Sequence, residues 1–168
     1  KAVEKVLRSD MITQGPCVPK FESAVSERVQ SRFAIAVNSA TSALHISCMA
    51  LGVEQGDRVW TTAISFVASA NCALYCGAHV DFVDIEPNSF NMCARSLANK
   101  LSRAASNGTL PKVVIPVHMC GQSCDMKTIA GLSKKYGFRV LEDASHAIGG
   151  SYDGKPIGHG KYSDITVF

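Results

Sequence analysis

The chain has 168 residues, 46% of them apolar and 18% charged, with a net charge of +3. That length and composition describe a globular domain with one sizeable core and exclude a disordered or fibrous chain. Apart from Lys134-Lys135, Lys and Arg occur singly, without the basic run that would track a phosphodiester backbone, so nucleic acid is not an expected partner.

In chain order, Val18 to Arg32 has helical spacing, with Pro19 near its start and Phe21, Val25 and Val29 on one face. Phe33 to Val37 reads as a short strand. A helix from Thr41 to Leu51 follows, stopped by Gly52. Arg58 to Thr62 reads as a strand, Phe66 to Cys76 as a helix and His79 to Val83 as a strand. After the turn Glu86-Pro87-Asn88, a polar helix runs from Ala94 to Ala105, and a strand from Val113 to Pro116. Asp125 is positioned to cap a helix ending near Tyr136-Gly137, and Arg139 to Glu142 gives the next strand. Tyr152-Asp153-Gly154-Lys155 has the signature of a tight hairpin. Asp164 to Phe168 reads as a final apolar strand, so the chain is expected to stop inside a domain.

Strands alternating with helices at this spacing predict an α/β fold with a mostly parallel, doubly wound sheet and helices on both faces. The charged fraction lies below the ~25% of ordinary domains, so extra surface is expected to be covered by another domain or subunit. No Asp, Glu, Lys or Arg occurs between Val59 and Val80, but polar residues interrupt that stretch, and a buried strand and helix are expected rather than a membrane span. Seven cysteines without CxxC spacing fit free thiols in a reducing cytoplasm. No signal peptide is seen.

Three loops carry the chemistry, and each follows an apolar run. In an open α/β sheet, ligands bind outside the carboxyl ends of strands. At Asn38-Ser39-Ala40-Thr41-Ser42 a helix begins, and its free N–H groups and dipole favour a phosphate. Ala40 permits close approach, and the Thr41 and Ser42 hydroxyls add donors; an ordinary N-cap is the plainer use of the same residues. Phe66, after Ile64-Ser65, offers an aromatic face, or simple packing. Asp143 ends the run Val140-Leu141 and is placed to hold a protonated ring nitrogen, or to cap a helix or join a loop ion pair. His146 is placed to meet a ring hydroxyl or ring face. Together these features point to pyridoxal 5′-phosphate, with Asp143 keeping the ring able to accept electron density.

Other constellations are weaker. His118 follows a buried strand, yet no Ser or Cys stands in a nucleophile-elbow pattern to make a triad. Asp81, Asp84 and Glu86 cluster near a strand end, where a solvated loop is the plainer reading than a metal site. The glycines at 149–150 and 158–160 are too sparse for a dinucleotide fingerprint.

Ile12-Thr13-Gln14-Gly15-Pro16, the segment from Asn38 to His45, that from Thr62 to Asn71, Pro116-Val117-His118, Gly121-Gln122 and Glu142-Asp143-Ala144-Ser145-His146-Ala147-Ile148-Gly149 resemble, in order, the DegT/DnrJ-type sugar-nucleotide aminotransferases. His146, where many members carry Gln, and Ser163 to Phe168 look most like the branch acting in pseudaminic-acid synthesis.

The resemblance implies the large domain of a fold-type I pyridoxal-phosphate enzyme. It implies Ala40, Thr41 and Ser42 at the cofactor phosphate, Phe66 on the ring, Asp143 at the pyridine nitrogen and His146 beside the ring. Asp10, Met11, Ile12 and Thr13, together with Ala40, would border a UDP-linked 4-keto-6-deoxy sugar. It implies a homodimer and an amino donor such as glutamate. The Schiff-base lysine would follow Phe168 in this family, so residues 1–168 are expected to be a partial large domain, inactive alone, without that lysine and the small C-terminal domain. A sugar 3-dehydratase, with His in place of the lysine, and a non-catalytic sugar-nucleotide binder or regulator are the alternatives.

Overall fold

The computed structural model describes residues 1–168. Helices α1 (Ala2–Leu7) and α2 (Cys17–Val29) precede α3 (Ala40–Ala50), after which strands and helices alternate: β1 (Arg58–Thr62), α4 (Ala68–Tyr75), β2 (His79–Val83), α5 (Ala94–Asn107), β3 (Val113–Ile115), α6 (Met126–Tyr136) and β4 (Arg139–Asp143). A hairpin, β5 (Ser151–Tyr152) and β6 (Lys155–Pro156), separates β4 from β7 (Ile165–Val167). The main sheet has the order β2-β1-β3-β4-β7 and is parallel throughout.

The sheet is covered on both sides, as its apolar strands require. Val59, Val113, Ile115, Leu141 and Val167 face one way and pack with Leu44 and Cys48 of α3 and Ala68, Cys72 and Ala73 of α4. The alternate positions Trp60, Val114 and Val140 face the other way, against Leu97 and Leu101 of α5 and Met126 and Ile129 of α6. This period-two division fixes where the ends of the strands aim: Asp143 shares the parity of Leu141, and Glu142 that of Val140.

Local signals account for the boundaries. Asp125 caps α6 by accepting from the Thr128 amide at 3.3 Å, and Gly137, at φ 81°, ends it. Asp153 (φ 49°) and Gly154 (φ 70°) give the hairpin two consecutive left-handed residues, which matches the strand twist.

Two expectations need correction. Phe33 to Val37 is extended but joins no ladder: Ile35 is 80% exposed, and the Ala36 amide donates to the Glu22 side chain at 2.8 Å instead of to a strand. Alternation of apolar residues gave the period of a strand, but a strand also needs a neighbour. The helix expected from Phe66 begins at Ala68, because the amides of Ser69 and Ala70 reach back three residues, to Phe66 and Val67, in a tighter first turn. Likewise, the face of α2 carrying Phe21 and Val25 is buried only at Val29.

Candidate active site

Because every strand of the main sheet runs the same way, the segments after β1, β3 and β4 emerge at one edge. Helix α3 hands the chain to the amino end of β1, so its own N-terminus lies toward that carboxyl edge. Leu44, one turn beyond Thr41, packs in the same cluster as Leu141 and Val167. The start of α3, the β1–α4 loop and the end of β4 therefore share one face and one end of the sheet.

Asp143 is 5% exposed. Its Oδ2 accepts from Ser69 Oγ at 2.6 Å, and its Oδ1 accepts from Ser145 Oγ at 2.7 Å and the Ser145 amide at 3.3 Å. No cation pairs with it. A carboxylate offers about four lone-pair sites, so three donors leave room for one more. A buried charge without a counter-ion is costly, and a cationic N–H donor at that open position would relieve it. The donor set thus fits a pyridinium nitrogen.

Ser69 also contacts Ser65 Oγ at 2.8 Å, which ties the Phe66 loop to Asp143 through two hydroxyls. Phe66 itself is 73% exposed and stands free above the loop, available to stack and buried against nothing. At α3, Ser39 Oγ accepts from the Ser42 amide at 3.2 Å, while the amides of Ala40 and Thr41 find no acceptor. The Ser42 hydroxyl accepts from Ser39 Oγ at 3.1 Å, leaving its own proton to give. Two free amides and a hydroxyl at a helix start suit a phosphate.

His146 is exposed beyond the turn after β4 and makes no hydrogen bond to Asp143. Asp10, Met11, Ile12 and Thr13 are exposed after α1, and no hydrogen bond links them to the other candidate residues. A cavity of about 400 Å³ lies on the α5/α6 side among Glu86, Asn91, Gln122 and Asp125, and none of the residues expected to hold the cofactor or the sugar lines it. Ser65, Ser69 and Ser145 were not foreseen. The only signal for them was the four-residue spacing of Ser65 and Ser69 and the Asp-x-Ser step at Asp143.

Cys48 and Cys124 are packing groups. A hydrogen bond to Cys72 and then burial push Cys48 far above the ordinary thiol range, and burial pushes Cys124 up to about 12. Neither forms the thiolate that nucleophilic chemistry needs.

The model of the DegT/DnrJ/EryC1/StrS aminotransferase family matches residues 1–168. The chain belongs to that family. It is thus part of an enzyme family, and the family match agrees with the order of motifs along the chain. EpsN of Bacillus subtilis (strain 168), named as a pyridoxal phosphate-dependent aminotransferase, is 42% identical over 157 residues, 93% of this chain and 40% of its own length. The UDP-4-amino-4,6-dideoxy-N-acetyl-beta-L-altrosamine transaminase of Campylobacter jejuni subsp. jejuni serotype O:23/36 (strain 81-176) is 38% identical over 167 residues, 99% of this chain and 43% of its own. Among solved structures, Helicobacter pylori PseC, an aminotransferase of pseudoaminic acid biosynthesis, superposes with a TM-score of 0.83 at 33% identity over 94% of this chain and 41% of its own. The fold is therefore that of the large domain of fold-type I aminotransferases, and pyridoxal phosphate is the cofactor of the family. The chain spans about two fifths of the length of the curated relatives it matches.

Proposed function

We propose that these residues form the cofactor-binding part of an aminotransferase acting on a UDP-linked 4-keto-6-deoxy-N-acetyl sugar, of the pseudaminic-acid type. The observation that carries the proposal is Asp143: a buried carboxylate with three hydroxyl and amide donors, an open acceptor position and no cation.

When bound, pyridoxal phosphate supplies an electron sink for negative charge developing at the substrate carbon. In this reading Asp143 keeps the ring nitrogen protonated, and Ser69 and Ser145 keep the Asp143 carboxylate aimed. The amides of Ala40 and Thr41, with the Ser42 hydroxyl, hold the phosphate. Phe66 covers one ring face and excludes water, and His146 lies beside the ring. Asp10, Met11, Ile12 and Thr13 border the sugar nucleotide. Lys161 is bound to Asp153 at 2.7 Å on the exposed hairpin, and Lys155 lies on its other arm, so the cofactor's lysine is assigned to sequence outside these residues. We assign a second copy of the chain, glutamate as amino donor and a cytoplasmic location on the same reading. No helix is long and apolar enough to cross a membrane.

The test is the half-reaction of the full-length protein. Glutamate should convert its pyridoxal absorbance to that of the pyridoxamine form, and the UDP-keto sugar should reverse it. Asp143→Asn and Asp143→Ala should lower turnover by at least about a hundredfold, the scale on which a single electrostatic partner of the reaction acts. Near-normal turnover in either variant refutes the role of Asp143.

A further inference from the structure

Behind Asp143, on the opposite face of β4, lies a second buried cluster that the proposed chemistry does not use. His118, 1% exposed, has its Nδ1 accepting from the Cys124 amide at 3.3 Å. That bond puts the ring proton on Nε2, which donates to Glu142 Oε2 at 2.7 Å. The other carboxylate oxygen, Oε1, accepts from the hydroxyls of Ser163 and Thr166, the second of these on β7 directly opposite Glu142 in the parallel ladder. Every polar group of the cluster is partnered, the condition under which a buried polar network fixes one arrangement.

We infer that His118 and Glu142 are positioning residues that set the carboxylate of Asp143 from behind the sheet. The regular β3–β4 ladder ends at Val114 and Val140, and Pro116 has no N–H with which to continue it. Beyond that point Asp143 is held by two bonds, its amide to the Pro116 carbonyl and its carbonyl from the His118 amide, both 3.0 Å. His118 therefore grips Asp143 through its backbone and Glu142 through its ring, closing a loop around two adjacent residues whose side chains point to opposite faces. Serine and threonine from the β7 side lock the same carboxylate. An apolar pair would fill that space, but would not fix the register of three strand ends at the one residue whose aim matters.

The inference rests on the proposed pairing of Asp143 with a ring nitrogen, and the experiment separates the two. The full-length protein is loaded with pyridoxamine 5′-phosphate labelled with ¹⁵N in the ring, and the nitrogen shift is followed against pH in wild type, Glu142→Gln, His118→Asn and Ser163→Ala. Ile129→Val, a core change on the same face, reports what general loosening does. The positioning role predicts that Glu142→Gln and His118→Asn cut the protonated fraction of the ring about tenfold at a fixed pH above its midpoint. Ser163→Ala should act in the same direction by less, and Ile129→Val not at all. If His118→Asn fails to fold, Ser163→Ala still reports. A wild-type ring that is never held protonated overturns both readings. A protonated wild-type ring left unchanged by all three cluster variants, or changed equally by Ile129→Val, overturns the positioning role alone.

Discussion

At the scale of single residues, Ser69 is the side chain through which the fold reaches Asp143. It donates across the gap between α4 and β4 to a buried charge. Hydrogen bonds to charged groups contribute about 1.5–3 kcal/mol. Ser69→Ala should therefore lower unfolding stability by about 2 kcal/mol, read as a lower denaturant midpoint at unchanged slope. An unchanged midpoint would mean that the bond adds nothing. Ser69 was visible in the sequence as a polar interruption of an apolar helix, four residues after Ser65. What gives it meaning is Asp143, 74 positions away, and no local pattern carries a contact of that separation. Asp143 stood out in the sequence because it closes an apolar strand-like run, and the structure buries it at the end of β4.

At the scale of elements, the β5–β6 hairpin closes by ion pairing as well as by its turn. Lys161 Nζ at 2.7 Å and then the Tyr162 hydroxyl at 2.5 Å hold the Asp153 carboxyl down to about 2. A carboxyl whose folded value is lowered stabilises the fold above its unfolded value, about 3.9, and that contribution disappears as pH falls through about 2. The Asp153 carboxyl carbon in an NMR titration should keep its ionised shift through pH 3, and Lys161→Ala should move the midpoint up toward the ordinary range. A wild-type midpoint near 4 would show the pair absent in solution.

Elements also differ in what they bear. Ile115 is wholly buried in β3, and Ile115→Ala should cost about 2–5 kcal/mol. Ile35, in the extended segment without a ladder, is 80% exposed, and Ile35→Ala should stay within about 0.5 kcal/mol. Equal losses in chemical denaturation would show that residues 33–37 are packed after all. The strand expected there found no ladder because hydrophobic period states which face an element would bury, while a pairing partner decides whether a strand forms; the helix expected from Phe66 starts later because its first turn is tighter.

At the scale of the molecule, the low charged fraction has a structural counterpart. Val3, Leu7, Ile12, Phe21, Phe33 and Phe66 are each at least 60% exposed. Singly exposed apolar side chains are ordinary, but this many beside a low charged fraction suits surface that another domain or subunit covers. The full-length protein should elute as a dimer, with light scattering after size exclusion giving twice its sequence mass at micromolar protein; a strict monomer would remove the basis for the proposed homodimer. Sequence alone determined the α/β class and the parallel sheet, and it placed Ser39 at the cap of α3 and Asp143 at the end of β4, since each rests on local periodicity or on a residue type at an element's end. Only the tertiary structure decided that Phe33 to Val37 finds no ladder partner within residues 1–168, that Ser69 and Ser145 bond Asp143, and that the His118–Glu142 pair lies behind it. Those outcomes depend on contacts between segments far apart in the chain, and such contacts are settled by packing of the whole.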